Sequence, residues 1–130
     1  MKYLLDANAI IALMKGNDAF LTRLRNHSPQ DFAVPAIVAH ELFYGAYKSM
    51  RKDENLARLD ALQFQILEFA QDDARKAGEI RAQLNAAGTP IGPYDVLIAG
   101  QALARGLTLI THKTREFGRI AALKIEDWED

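Results

Sequence analysis

Five short apolar runs, each too brief for a helix and most parted from the next by helix-patterned segments, constrain this chain more than any other feature. They are Tyr3-Leu4-Leu5, Phe32-Ala33-Val34, Ile66-Leu67-Glu68-Phe69, Leu107-Thr108-Leu109-Ile110 and, as a fifth candidate, Leu123-Lys124-Ile125. Between them the apolar residues recur at helical spacing. Ile10, Ile11, Leu13 and Met14 do so from Asn8 to Lys15, and Phe20, Leu21 and Leu24 follow a cap at Asn17. Pro35 suits a first helical turn that leads into Ile37, Val38, Glu41, Leu42 and Tyr44. Leu56, Leu59 and Leu62 mark a helix from Asp53 to Gln65. A longer one opens at Asp72 or Asp73 and runs to Ala87, with Ala74, Ala77, Ile80 and Leu84 on one face. A nearly all-apolar helix runs from Tyr94 to Arg105, after the stiff loop Thr89-Pro90-Ile91-Gly92-Pro93. Short strands alternating with helices predict an α/β fold: one domain over residues 1–130, a central, mainly parallel sheet, and helices on both faces. In such folds ligands bind beyond the carboxyl ends of the strands.

Composition removes several function classes. The 130 residues include no cysteine, which excludes disulfides, Fe–S clusters and Cys-based zinc sites. The three histidines, His27, His40 and His112, are too scattered for a His-rich zinc site. A net charge of −1 carries no overall basic signature, although its distribution matters more than its sum. The longest charge-free apolar runs, 32–40 and 96–104, are about half of a membrane span, and Asp6 interrupts any leader-like segment. The expectation is a cytoplasmic protein with no membrane association.

Four acids fall where the predicted strands end. Asp6 closes the first strand, Glu41 lies on the helix after the second, Asp95 opens the all-apolar helix, and Glu116 follows the fourth strand. Each has a plain structural reading. Asp6 can cap the next helix, Asp95 can complement a helix dipole, Glu41 can be solvated, and Glu116 can pair with Arg115 or Arg119. Their joint placement at one end of one sheet is accounted for by one shared divalent cation. Oxygen-only ligands point to Mg²⁺ or Mn²⁺, and such an ion would keep clustered carboxylates ionised. The chemistry it suits is phosphoryl transfer with a metal-activated water. P-loop and dinucleotide fingerprints are absent.

Outside these four acids the charge balance turns positive, and four of the remaining acids crowd into the tail at Glu126, Asp127, Glu129 and Asp130. Lys48, Arg51 and Lys52 follow the Glu41 helix, while Arg105, Lys113, Arg115 and Arg119 are placed around Glu116. Lys48, Arg51, Lys113 and Arg115 are the candidates for holding phosphates along a polyanionic strand, with an ordinary solvated surface as the alternative.

Four blocks stand out in order: Leu4-Leu5-Asp6-Ala7-Asn8, Val38-Ala39-His40-Glu41-Leu42-Phe43-Tyr44-Gly45-Ala46, Ile91-Gly92-Pro93-Tyr94-Asp95-Val96-Leu97-Ile98-Ala99 and Leu109-Ile110-Thr111-His112-Lys113-Thr114-Arg115-Glu116-Phe117. In order and spacing they resemble the PIN-domain family, and most closely the VapC-type toxins of bacterial toxin–antitoxin pairs. The closing Glu126-Asp127-Trp128 extends the likeness to essentially the whole chain. The resemblance implies a PIN-like three-layer α/β/α sandwich. It also implies a Mg²⁺- or Mn²⁺-dependent endoribonuclease that cuts structured RNA, commonly tRNA or ribosomal RNA, and so inhibits translation. Asp6, Glu41 and Asp95 would form the metal-binding acidic core, with Glu116 as a fourth, supporting acid. The implied partners are a second copy in a homodimer and a cognate antitoxin whose C-terminal segment fills the active-site groove. Two positions depart from the family pattern. Ala7 stands where Ser or Thr is usual, and His112-Lys113 follow Thr111 where Asn or Asp is frequent. These departures imply weaker binding of a second metal, and a Lys113 that contacts phosphate or neutralises Glu116.

Two other readings have distinct signatures. A signalling receiver domain needs an acidic pair after the first strand and an Asp ending a central strand. Here Asp6 stands alone and Ala70-Gln71 precede Asp72. A catalytically idle PIN-like module would bind metal or partner without turnover, which the Ala7 departure allows.

Overall fold

The computed structural model describes residues 1–129. Asp130, one of the tail acids, lies outside the described residues. Among these residues five strands form a single sheet, all of whose pairs are parallel: β1 (Tyr3–Leu5), β2 (Phe32–Pro35), β3 (Gln65–Leu67), β4 (Thr108–Ile110) and β5 (Ile125–Glu126). Among the described residues seven helices surround it: α1 (Ala7–Met14), α2 (Asp18–Leu24), α3 (Ala36–Tyr47), α4 (Lys52–Asp60), α5 (Gln71–Ala86), α6 (Pro93–Arg105) and α7 (Thr114–Phe117). A short 3₁₀ turn, Pro29–Asp31, leads into β2. The strand order is β3-β2-β1-β4-β5. The chain therefore builds outward from β1 to one side and then returns to build on the other. That reversal leaves a crevice beyond the carboxyl ends of β1 and β4, the position at which open α/β sheets bind ligands.

The element order matches the sequence pattern, and the differences lie at boundaries. Pro35 pairs with Leu67 in the sheet and caps α3 rather than entering its first turn. The helix expected over 53–65 ends at Asp60, because Gln65 to Leu67 are drawn into pairing with β2. β5 begins at Ile125, where Leu109 and Ile110 provide its pairing partners.

α5 starts at Gln71, one residue before the predicted range, and its buried face is not the one expected. Ala74 is exposed, and Asp73 takes the inward position with Ala77, Ile80 and Leu84. Periodicity placed an apolar residue there because it cannot anticipate a buried ion pair. Asp73 accepts from the Ala70 N–H at 2.8 Å, from the Arg105 guanidinium at 3.0 Å and from the Gln101 amide at 3.1 Å. Burial opposes its ionisation, yet Arg105 and the other donors outweigh that penalty and hold its pKa below the ordinary carboxylate value. Arg105 is thus committed to Asp73 and to the Glu68 carbonyl at 3.0 Å. It stands at the far end of α6 from Asp95, so its placement around Glu116 is corrected.

The core is contributed by the strands and by helix faces turned toward them. Leu4, Leu5, Ile10, Phe20, Val38, Ala99, Leu109 and Phe117 are fully buried. Trp128 closes it within an aromatic group, 5.1 Å from Tyr3, 5.6 Å from Phe20 and 5.4 Å from His27, ring centre to ring centre. Gly106, at φ +66°, ends α6 in the left-handed conformation that glycine adopts without strain.

Gly100 sets the α5–α6 approach. A β-carbon there would lie 2.6 Å from the Ala77 backbone, so the two helices meet through hydrogen alone. Gly100→Ala is expected to destabilise the protein by about 1–3 kcal/mol through overpacking, despite alanine's better helix propensity. Gly78→Ala is the control. Gly78 lies on α5, and its β-carbon would meet nothing within 4 Å. It should stabilise by about 0.5–1 kcal/mol. Denaturant unfolding of the two variants measures both signs.

Candidate active site

Asp6 is the first residue past β1, and its two carboxylate oxygens have separate tasks. Oδ1 accepts from the Ala9 N–H at 2.8 Å and so caps α1. Oδ2 accepts from the Thr111 hydroxyl, just past β4, at 2.6 Å. The capping reading of Asp6 is therefore correct and compatible with a place in the site. Burial pushes the Asp6 pKa up; the Thr111 and Ala9 hydrogen bonds and the Lys113 charge pull against this, and the Asp95 charge adds to it.

Glu41 projects from α3, whose register is fixed by buried Val38 and Ala39. Its carboxylate is half-buried, and no hydrogen bond or ion pair to it occurs among the described residues. Burial raises its pKa, and so do the charges of Asp95 and Asp6, against Lys113 and His40. Asp95 sits in the first turn of α6, after Gly92 and Pro93, with its side chain 18% exposed. The Lys113 ammonium lies 3.3 and 3.5 Å from its two oxygens. Three carboxylates from three elements therefore act on one another across the crevice, and Lys113 is the cation among them. The sequence-based alternative in which Lys113 neutralises Glu116 is corrected: its partner is Asp95. Lys113 is brought there because Thr111 Oγ1 also accepts the Lys113 N–H at 2.9 Å, which turns the chain after β4.

The remaining candidates stand apart. Glu116 is half-buried on α7 and forms no hydrogen bond or ion pair with the other three acids among the described residues. Lys48 places its ammonium 4.8 Å from the centre of the Tyr44 ring, and Arg51 lies 3.8 Å from Glu54. Arg115 is exposed on α7, and Arg119 donates to the Pro90 carbonyl at 2.9 Å.

One group went unread in the sequence. His112, Asp127 and Glu129 bring ligand-capable atoms within 4.8 Å of one another, with His112 Nδ1 2.8 Å from Asp127. Adjacency of β4 and β5 creates it, and no motif spacing announces a pairing of that kind. Beside Glu41, a cleft of about 340 Å³ opens between α1, α3 and α4, lined by Ile11, Met14, Leu42, Ala46 and Leu59.

The raised Glu41 pKa has a testable sign. In the unfolded chain Glu41 ionises at its ordinary pKa, and in the fold it does so only at higher pH. The native chain therefore loses stability as pH rises through that interval. Glu41→Gln removes the penalty. Without divalent cations, the variant should melt a few degrees above the parent at pH 7, with a smaller difference below the ordinary glutamate pKa. Thermal melts across pH 3.5–7.5 check this.

Comparison with known proteins agrees with this architecture. Residues 3–123 match the PIN domain family. The chain is 38% identical over 130 residues to the tRNA(fMet)-specific endonuclease VapC of Salmonella typhimurium, covering 98% of each. It is 34% identical to ribonuclease VapC2 of Haemophilus influenzae, again over 98% of each. The fold superposes on a chain of the DNA-bound VapBC structure from Salmonella typhimurium with a TM-score of 0.92, 37% identity and 98% coverage of both chains. For VapBC2 of Rickettsia felis, bound to a promoter DNA fragment, the TM-score is 0.89 at 35% identity, covering 98% of this chain and 99% of that one. A parallel sheet with its acids at the β1–β4 crevice, a family match across almost all of the chain and full-length relatives make this chain a member of the PIN-domain family, within its VapC ribonuclease group.

Proposed function

We propose that the chain is the toxin of a toxin–antitoxin pair, an endoribonuclease that cuts structured RNA, with tRNA as the substrate class, in the cytoplasm. The observation that carries the reading is the meeting of Asp6, Glu41 and Asp95 at the crevice where the strand order reverses. Support comes from full-length relatives named as ribonucleases, one of them specific for tRNA(fMet). Matching structures of toxin–antitoxin complexes support the antitoxin as partner.

The donor set suits a hard divalent cation, Mg²⁺ or Mn²⁺, since it offers carboxylate oxygens and no thiolate. Two of the three acids have raised pKa values, because burial disfavours their charged forms and the neighbouring carboxylates add to that against the Lys113 charge. Asp6, Glu41 and Asp95 would hold the ion. When bound it supplies a water of lowered pKa and neutralises charge on the leaving oxygen. The protein's own groups do the positioning. Thr111 fixes the rotamer of Asp6, the first turn of α6 fixes Asp95, and Lys113 offers an ammonium that can transfer from Asp95 to a phosphate oxygen. Glu116 is assigned a supporting role at the edge. Lys48, Arg51 and Arg115 are assigned to the flanking backbone phosphates of RNA.

The apolar cleft beside Glu41 is assigned to the C-terminal segment of the antitoxin. Its walls favour apolar side chains, and Lys15 and Arg58 on its lining suit acidic ones. An antitoxin seated there would reach the acids and block RNA. The functional unit is assigned as a homodimer.

Asp95→Asn should retain the fold and lose RNA cleavage by at least about 100-fold, because a neutral amide is a poor ligand for a hard cation. Chelation of divalent ions should abolish the parent's activity, and Mn²⁺ or Mg²⁺ should restore it. Mapping of new RNA 5′ ends after induced expression of parent and variant reads out both activity and target. Equal cleavage by the variant would overturn the metal assignment, and a lack of metal-dependent cleavage by the parent would favour the idle-module reading. Lys113→Ala should weaken RNA binding and lower the dependence of log K on log salt by about one unit if its ammonium meets a phosphate. Titrations at several salt concentrations measure that slope.

A further inference from the structure

Two rings stand immediately beside the acids, and neither the metal chemistry nor the core uses them. Tyr94 precedes Asp95 in the first turn of α6 and is 47% exposed. His40 precedes Glu41 on α3 and is exposed. The rings come from different helices yet meet edge to face, with centres 5.4 Å apart and planes at 68°. His40 Nδ1 lies 3.3 Å from the Ile37 carbonyl. That contact is a hydrogen bond when Nδ1 carries the proton, which leaves Nε2 to meet a ligand. Four residues on along the same face of α3, Tyr44 is 62% exposed and carries the Lys48 ammonium 4.8 Å from its ring centre.

A large aromatic ring held half in water gains little for the fold, whereas a supported ring beside a phosphodiester-cleaving centre offers a flat surface for a base. Rings in series with an ammonium are the physical means by which single-stranded nucleic acid is held without a paired partner. The polar tips, a phenol hydroxyl and an imidazole nitrogen, favour a base edge or backbone over the apolar surface of a second protein copy.

We propose that Tyr94 and His40 form the base-holding wall of the substrate site. The nucleotide next to the scissile phosphate leaves its stack and lies on Tyr94, while His40 supports the tyrosine ring and contacts the base edge through Nε2. Both act as positioning residues, placing the phosphate against Asp95 and Glu41. This inference rests on the ribonuclease reading above.

The test uses an RNA hairpin carrying 2-aminopurine at successive loop positions, whose fluorescence is quenched by stacking. In the cleavage-deficient Asp95→Asn protein, one loop position should be quenched on binding. Adding Tyr94→Ala should remove the quenching, and Tyr94→Phe should keep it. In the otherwise native chain, Tyr94→Ala should raise KM for RNA by about 5- to 100-fold. Most of the loss should fall on KM rather than kcat, with an unaltered melting temperature. His40→Ala should give a smaller change in the same direction. If the parent cleaves RNA while Tyr94→Ala binds, quenches and cleaves as the parent does, the wall is refuted and the ribonuclease reading stands. If the parent cleaves no RNA with Mg²⁺ or Mn²⁺, both fall together. If Tyr94→Ala instead alters the sedimentation of the protein, the rings are a self-association surface and the proposal is overturned.

Discussion

The hydrogen bond from the Thr111 hydroxyl to Asp6, 2.6 Å long, is the contact on which the site depends. Thr111 follows β4 and Asp6 follows β1, the two strands paired at the place where the chain reverses its direction of building. With Oδ1 occupied by the α1 cap, Asp6 has no rotational freedom left. A second bond, from the Lys113 N–H to the same Thr111 hydroxyl, fixes how the chain leaves β4. One small polar network thus sets the helix start, the strand pair and the direction of Lys113. Buried polar groups satisfied in this way specify a single geometry, because any other arrangement leaves them without partners.

The rest of the crevice is an electrostatic problem that the fold leaves partly unsolved. Asp6 and Glu41 are held where burial favours their neutral forms, and Lys113 gives each only part of the compensation needed. By contrast, Asp73 is fully buried but faces Arg105, Gln101 and the Ala70 N–H, and its pKa falls. The chain shows that it can satisfy a buried carboxylate when the role is structural. Leaving Asp6 and Glu41 without such full compensation, beside Asp95 at the carboxyl ends of the strands, is the pattern of a functional site rather than a structural one.

Much of this was legible in advance, for a physical reason. Strands and helices announce themselves through local period, so the alternation from Tyr3 to Arg105 predicts the parallel sheet before any coordinate is known. The misplacements occur where tertiary contacts override that period. Ala74 carried the apolar spacing of α5, yet Asp73 is inside because Arg105, on another helix, neutralises it. Pro35 looked like a helix starter and lies in the sheet because β3 offers it a neighbour.

The sequence by itself determined the element order and the placing of three acids, Asp6 after the first strand, Glu41 on the helix after the second and Asp95 in the first turn of the all-apolar helix, since each follows from residues close in the chain. It also carried the family resemblance, which resides in four local blocks. Only the tertiary structure decided that Lys113 faces Asp95 rather than Glu116, that Arg105 serves the core, that Thr111 donates to Asp6, and that His112 meets Asp127. Each of these joins residues far apart in sequence. Their meeting depends on the parallel register of β4 with its neighbours and on the packing of α6 against the rest, neither of which leaves a periodic trace in the chain.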